Sequence, residues 1–284
     1  MRKVILSAIL LLALLLPASA QVTMEIVLDQ DQYLRSETVT VRVRIMNSSG
    51  RTLRLGTDPN WLTFKVDGEG GVPLARLEPG PVTRAFDLES SKTVTLRTDL
   101  VPFFNLSEVG HYTVTAKAKV PELNLEVEVR PKTFDITQGV KLWEREFGVP
   151  ATTPPESRKF ALQQATFLKE RMRLYTRVTD LSESRVFRVQ YLGPLVSFSK
   201  PETLLDPSSN LHVLFQVGAR SFSYCVVNPG GELIIRQIFE QSATRPTLRA
   251  TEDGRCTVAG GERLVLPTDL PPPVVSTNAI PAPK

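Results

Sequence analysis

Apolar and polar residues alternate with a period of two along much of this chain. Val39, Val41, Val43 and Ile45 interleave with Thr40, Arg42 and Arg44, and Tyr112, Val114, Ala116, Ala118 and Val120 interleave with Thr113, Thr115, Lys117 and Lys119. Met24, Ile26 and Leu28, Leu62, Phe64 and Val66, and Leu123, Leu125, Val127 and Val129 repeat the pattern. Such spacing gives a strand one buried and one wet face. Antiparallel sheets read this way, whereas parallel ones read as continuous apolar runs. Turn chemistry separates the runs at Asn47-Ser48-Ser49-Gly50, Asp67 to Gly71, Pro79-Gly80-Pro81, Glu108-Val109-Gly110 and Pro121-Glu122. The expected fold is all-β, with an antiparallel β-sandwich over 21–137 and a second antiparallel β-meander domain over 157–266.

Two stretches carry a family likeness. One is Tyr33-x-x-x-Glu37-x-Val39-x-Val41-x-Val43-x-Ile45-x-Asn47, an entry turn feeding a core strand. The other is Gly110-His111-Tyr112-Thr113-Val114-Thr115-Ala116, a turn and an aromatic opening a late strand. Residues 22–137 thereby resemble the bacterial immunoglobulin-like sandwiches of exported proteins, including macroglobulin-type domains and the small domain of the BsuPI proteinase-inhibitor family. The resemblance implies that Tyr112 packs into the core and returns its hydroxyl to upstream backbone. Arg35-Ser36 stand where many of these domains have Pro-Gly, and no inhibitory residue carries over to a numbered position.

Residues 138–156 read as a junction, in which Leu142, Trp143 and Phe147 are apolar enough to dock one domain on the other, and Pro154-Pro155 close a linker. Residues 158–168 fit a helix or a strand, and strand spacing begins at Arg171. Three strand–turn–strand units follow, turning at Leu181 to Ser184, Asn228 to Gly231 and Thr251 to Gly254. Residues 171–261 resemble partial β-propeller blades. A blade takes about 40–45 residues and closure needs at least four, which speaks against a closed propeller and for an open meander covered by the first domain, or blades completed by another chain. Pro267–Lys284 reads as an extended Pro-rich tail.

Arg2 and Lys3, the apolar stretch Val4 to Leu16 and the small-x-small Ala18-Ser19-Ala20 together read as a secretory signal peptide, 1–20, cleaved before Gln21. The apolar run is shorter than the roughly 20 residues of a membrane span, so no transmembrane anchor is expected and the mature protein is expected in the periplasm or outside the cell. Lys+Arg 34 against Asp+Glu 30 leaves a small, scattered excess, which is no footprint for nucleic acid.

A search for reactive clusters finds little. His111 and His212 are the two histidines, and neither has a second ligand at metal spacing. Hydrolase, zinc-protease and phosphate-loop motifs are missing, and no cofactor is expected. Asp29 and Asp31 form a weak calcium pattern that a solvated turn explains better. Asn47-Ser48-Ser49 and Asn105-Leu106-Ser107 match the glycosylation sequon. Cys225 and Cys256, the only cysteines, read equally as a disulfide of an oxidising compartment, worth roughly 3–4 kcal/mol, or as two buried thiols. Val101, Pro102, Phe103 and Phe104 lie between strand patterns and are the candidate interaction loop, with plugging of the core as the competing reading.

Three functions follow as expectations. The first is a non-catalytic binding or scaffolding protein of the bacterial envelope, its partner an envelope or secreted protein or glycan. The second is a proteinase inhibitor acting through Asp99–Asn105. The third is a hydrolase using dispersed carboxylates such as Glu202 and Asp206.

Overall fold

The computed structural model describes residues 21–79, 84–150, 152–153, 156–167, 171–196 and 198–271. The expected leader, 1–20, and the later part of the Pro-rich segment lie outside them. The chain divides into two compact units, one of residues up to Asp31 with Thr38–Asp135, the other of Gln32–Glu37 with Ile136 onward. Both are built of antiparallel strands, as the alternation requires.

In chain order the first strands are β1 (Val22–Leu28), β2 (Gln32–Leu34), β3 (Thr40–Asn47), β4 (Leu53–Leu55), β5 (Leu62–Asp67), β6 (Phe86–Leu88), β7 (Thr93–Asp99), β8 (Gly110–Val120), β9 (Leu125–Glu128) and β10 (Lys132–Thr137). In the first unit, one sheet has the order β1-β3-β7, and another gathers β5, β9 and β10 around β8. Val41, Val43 and Ile45 of β3 and Val66, Val114 and Ala116 of β5 and β8 are all buried, each on the face their period of two assigns. Tyr112 is buried and stacked on Phe134, and its hydroxyl donates to the Glu108 carbonyl at 2.8 Å. This is the returning hydroxyl that the resemblance implies at that position.

The second unit continues with β11 (Val140–Val149), β12 (Glu156–Phe167), β13 (Arg171–Asp180), β14 (Val186–Leu195), β15 (Glu202–Leu205), β16 (Leu211–Gln216), β17 (Ser221–Val227), β18 (Leu233–Glu240), β19 (Thr247–Ala250), β20 (Cys256–Ala259) and β21 (Glu262–Leu264). Two sheets result, β11-β12-β13-β14 and β15-β16-β17-β18-β21, with β19-β20 as a separate hairpin. The three expected strand–turn–strand units are present as β13/β14, β17/β18 and β19/β20.

These sheets bury one shared core. Phe147, Phe160, Leu162, Leu174 and Leu192 come from the first, and Leu211, Val213, Phe215, Cys225 and Val227 from the second. The meander expected here is therefore not open: two meanders cover each other. The difference arises in the stretch expected to be a junction. Residues 140–149 form strand β11, in which Phe147 stacks on Phe160 at 4.2 Å and Trp143 packs on the same core. The Pro-rich segment is also tied down at its start. Leu270 exchanges backbone hydrogen bonds with Arg236 at 3.0 Å, and Asp269 is buried against Arg263.

Candidate functional site

A groove of about 580 Å³ runs along β1. One wall is the whole strand Val22–Leu28. Asp31, Val127, Glu128, Arg130, Lys132 and Thr133 supply the rest. Among the described residues β1 pairs only with β3 in the sheet order, so among them its other side is an open edge. The phase of the ladder fixes which groups that edge presents. Ser48 N–H donates to the Gln21 carbonyl at 2.7 Å, and the register runs Thr23↔Met46, Glu25↔Arg44 and Val27↔Arg42. In an antiparallel strand, successive residues turn their backbone groups to opposite sides. Thr23, Glu25 and Val27 therefore bond to β3, while Val22, Met24, Ile26 and Leu28 point their N–H and C=O into the groove.

The outer face of the same sheet is charged. Arg44 pairs with Glu25 at 2.8 Å and Arg42 with Asp29 at 2.9 Å, while Arg97 stands directly opposite Arg42 on β7. Shallow depressions lined by Val27, Arg42, Arg44, Thr95 and Arg97, and by Thr23, Met24, Glu25, Arg44, Met46 and Thr93, continue the groove across this face. Sequence reading recognised β1 as a strand. Its place at a sheet edge depends on long-range strand order, which local periodicity does not encode.

Both cysteines are free thiols, so the bridge considered from sequence is not formed. Alternation along β17 sends Cys225 into the core between the sheets, whereas Tyr224 and Val226 face the other way, toward Leu248 and Val258 of the β19-β20 hairpin that carries Cys256. Burial raises the pKa of both thiols, with Asp206 adding to the effect at Cys256. Neither is an activated nucleophile.

The loop residues Val101, Pro102, Phe103 and Phe104 curl rather than extend. The N–H groups of Phe103 and Phe104 both donate to the Leu100 carbonyl at 3.0 Å, and Leu77 N–H donates to the Phe103 carbonyl at 2.9 Å. Phe104 is buried, and of the four only Pro102 is fully exposed. An inhibitory loop needs an extended, accessible segment, so this geometry lends that reading no support.

The histidines each meet one carboxylate. His111 Nδ1 lies 2.7 Å from Asp135 Oδ1 on the surface. His212 is buried between Asp206 Oδ2 at 3.2 Å and the Tyr224 hydroxyl at 2.7 Å. Sequence reading missed both pairs, because neither partner sits at a metal-motif spacing. The Asp206–His212–Tyr224 line has the members of an acid–base relay, but its ends are closed. Asp206 also accepts the backbone N–H groups of Ser208 and Asn210 and the Asn210 amide. Burial pushes its pKa up, and the Asn210 and His212 hydrogen bonds outweigh that and hold it below the ordinary carboxylate value. Burial, with Cys256 and Asp206 nearby, pushes Tyr224 up to about 12, so its proton stays on. The network pegs β16 to β17 and the 206–210 turn. Glu202 is likewise committed, accepting the Leu248 N–H at 2.7 Å. Among the described residues no group of three or more His, Cys, Asp or Glu could hold a metal ion, and no helix is long and apolar enough to cross a membrane.

No protein-family model matches the chain, and no curated protein matches it. Among solved structures it is similar to Spo0M, a sporulation control protein from Bacillus subtilis, at 8% identity, covering 56% of this chain and 80% of that one with a TM-score of 0.29. That likeness is too slight to carry an argument about fold or function.

Proposed function

We propose that this is an exported, non-catalytic binding or scaffolding protein of the bacterial envelope that engages a protein partner through the groove of its first unit. The observation that supports this reading is the groove itself. It has the volume of a recognition site, and its main wall is an unpaired backbone edge rather than a set of convergent acids, bases or nucleophiles. Glu202, Asp206 and His212, the carboxylates and the buried histidine weighed above, are spent on holding strands together. Export rests on the leader pattern of residues 1–20.

The reading is tested by gentle crosslinking of the tagged mature protein in intact cells, followed by affinity recovery and mass analysis. One protein should be recovered in stoichiometric amount, with crosslinks to 22–31 or 127–133. Recovery of a lone monomer under the same conditions would refute the reading.

A further inference from the structure

Resting on that reading, we infer that the groove takes an extended, antiparallel segment of another protein as an added strand beside β1, with a Lys or Arg of that segment facing Glu25.

Edge strands are templates for uncontrolled pairing, and proteins guard them with charges, prolines or bulges. Among the described sheets the other edge strands of seven or more residues are β7, β11 and β14. β7 carries Arg97 and Asp99, and β14 carries Arg188, Pro194 and two register shifts. β11 carries Lys141, Glu144, Arg145 and Glu146 within its ten residues and has a bulge between Lys141 and Trp143. β1 carries Glu25 alone, has neither proline nor bulge, and runs in unbroken register with β3 over all seven residues. An edge so regular and weakly guarded, lying along a groove, is built to be covered.

The geometry also specifies the occupant. A strand added antiparallel, the sense of each pairing in this sheet, would exchange hydrogen bonds with Val22, Met24, Ile26 and Leu28. Its residues opposite these four would turn to the face of the buried Val22 and Ile26, which favours apolar side chains, with Asp31, Glu128, Arg130 and Lys132 on the facing wall. Its residues opposite Thr23, Glu25 and Val27 would lie on the outer face, where Glu25 is the one charged neighbour and already faces Arg44 across β1 and β3. A basic side chain opposite Glu25 completes a row of alternating sign, and opposite charges facing each other across strands stabilise a pair while like charges oppose it. A second copy of β1 is a poorer occupant, because in the two-fold register centred on residue 25 it sets Glu25 against its own counterpart.

The probe is a blocked, fluorescein-labelled heptapeptide, Val-Thr-Val-Arg-Val-Thr-Val, matched to β1 residue for residue, with a twin carrying Glu for Arg. Anisotropy titration of the mature protein should show the Arg peptide binding about fivefold to tenfold more tightly than the Glu twin, and Glu25→Gln should bring that ratio close to one. Met24→Pro removes an N–H that points into the groove and none that bonds to β3, so it should fold, by circular dichroism, and weaken binding at least tenfold. A control leaves the protein untouched: N-methylation of the two valines flanking the Arg should abolish binding, while N-methylation of the Arg, whose N–H points away from β1, should not. Absence of binding, indifference to these N-methyl groups, or an Arg preference that survives Glu25→Gln would overturn the inference. So would a wild-type dimer in sedimentation that Met24→Pro splits, since a second copy would then own the edge. If Met24→Pro still recovers the cellular partner at full yield, the strand-addition inference fails while the binding reading stands.

Discussion

Phe160→Ala is expected to destabilise the second unit by about 4 kcal/mol, the range of buried Phe truncations. Phe160 is fully buried at the centre of β12, stacked on Phe147 and packed in the core shared by both sheets. Its loss removes apolar area from water-free contact and leaves a cavity that the flanking strands β11 and β13, each fixed to β12 by a ladder, cannot close. For a unit of this size the melting point should fall by about 8–16 °C. Urea unfolding followed by Trp143, which packs on the same core, reads the loss directly. A shift of under 1 kcal/mol would mean that the two sheets do not share this core, as in an open meander.

Asn47→Ala should cost the first unit about 3 kcal/mol, for a polar rather than an apolar reason. Asn47 is fully buried at the end of β3. Its Nδ2 donates to the Arg51 and Leu88 carbonyls at 2.7 and 2.8 Å, and its Oδ1 accepts the Ser49 N–H at 2.9 Å and the Ser49 hydroxyl at 2.7 Å. Truncation takes the amide donor from the buried Leu88 carbonyl, leaves the Arg51 carbonyl only the Ser49 hydroxyl at 3.2 Å, and removes the acceptor of the Ser49 N–H; each buried group so orphaned costs about 1–3 kcal/mol. Asn47→Asp should be as harmful, since a carboxylate cannot donate to either carbonyl. Urea unfolding followed by the buried Trp61 checks both variants; a loss of a few tenths of a kcal/mol would show that water replaces the amide freely. The same bonds make the Asn47 sequon unusable in the folded protein, because both amide hydrogens are engaged, whereas Asn105 lies exposed.

How much was legible in the sequence follows from which faces are wet. β3, β5 and β8 have one solvated face, so their alternation is clean and their boundaries could be read directly. β12 has both faces covered. Phe160 and Leu162 enter the inter-sheet core, while Ala165 on the other face packs with Leu34, Tyr175 and Val189. The consecutive buried residues Phe160, Ala161 and Leu162 erase the period of two, which is why 158–168 also fits a helix. In β11 the bulge beside Leu142 shifts the phase in mid-strand, and mostly exposed residues around Phe147 imitate a linker. With β11 and β12 unread, the second unit lacks half of one sheet, and a sandwich reads as an open meander. The binding edge was hidden for a different reason: the residues of β1 announce a strand, but only the assembled sheet shows that β1 has one neighbour among the described residues.

The central claim is that β1 presents alternate backbone groups to an open groove, ready for a partner. Amide hydrogen exchange resolved by residue tests it most directly. In the free protein the N–H groups of Met24, Ile26 and Leu28 should exchange rapidly while those of Glu25 and Val27 are protected by β3, and saturation with the Arg heptapeptide should slow the first set alone. Uniform protection along β1 before the peptide is added, or no change after it, would contradict the account.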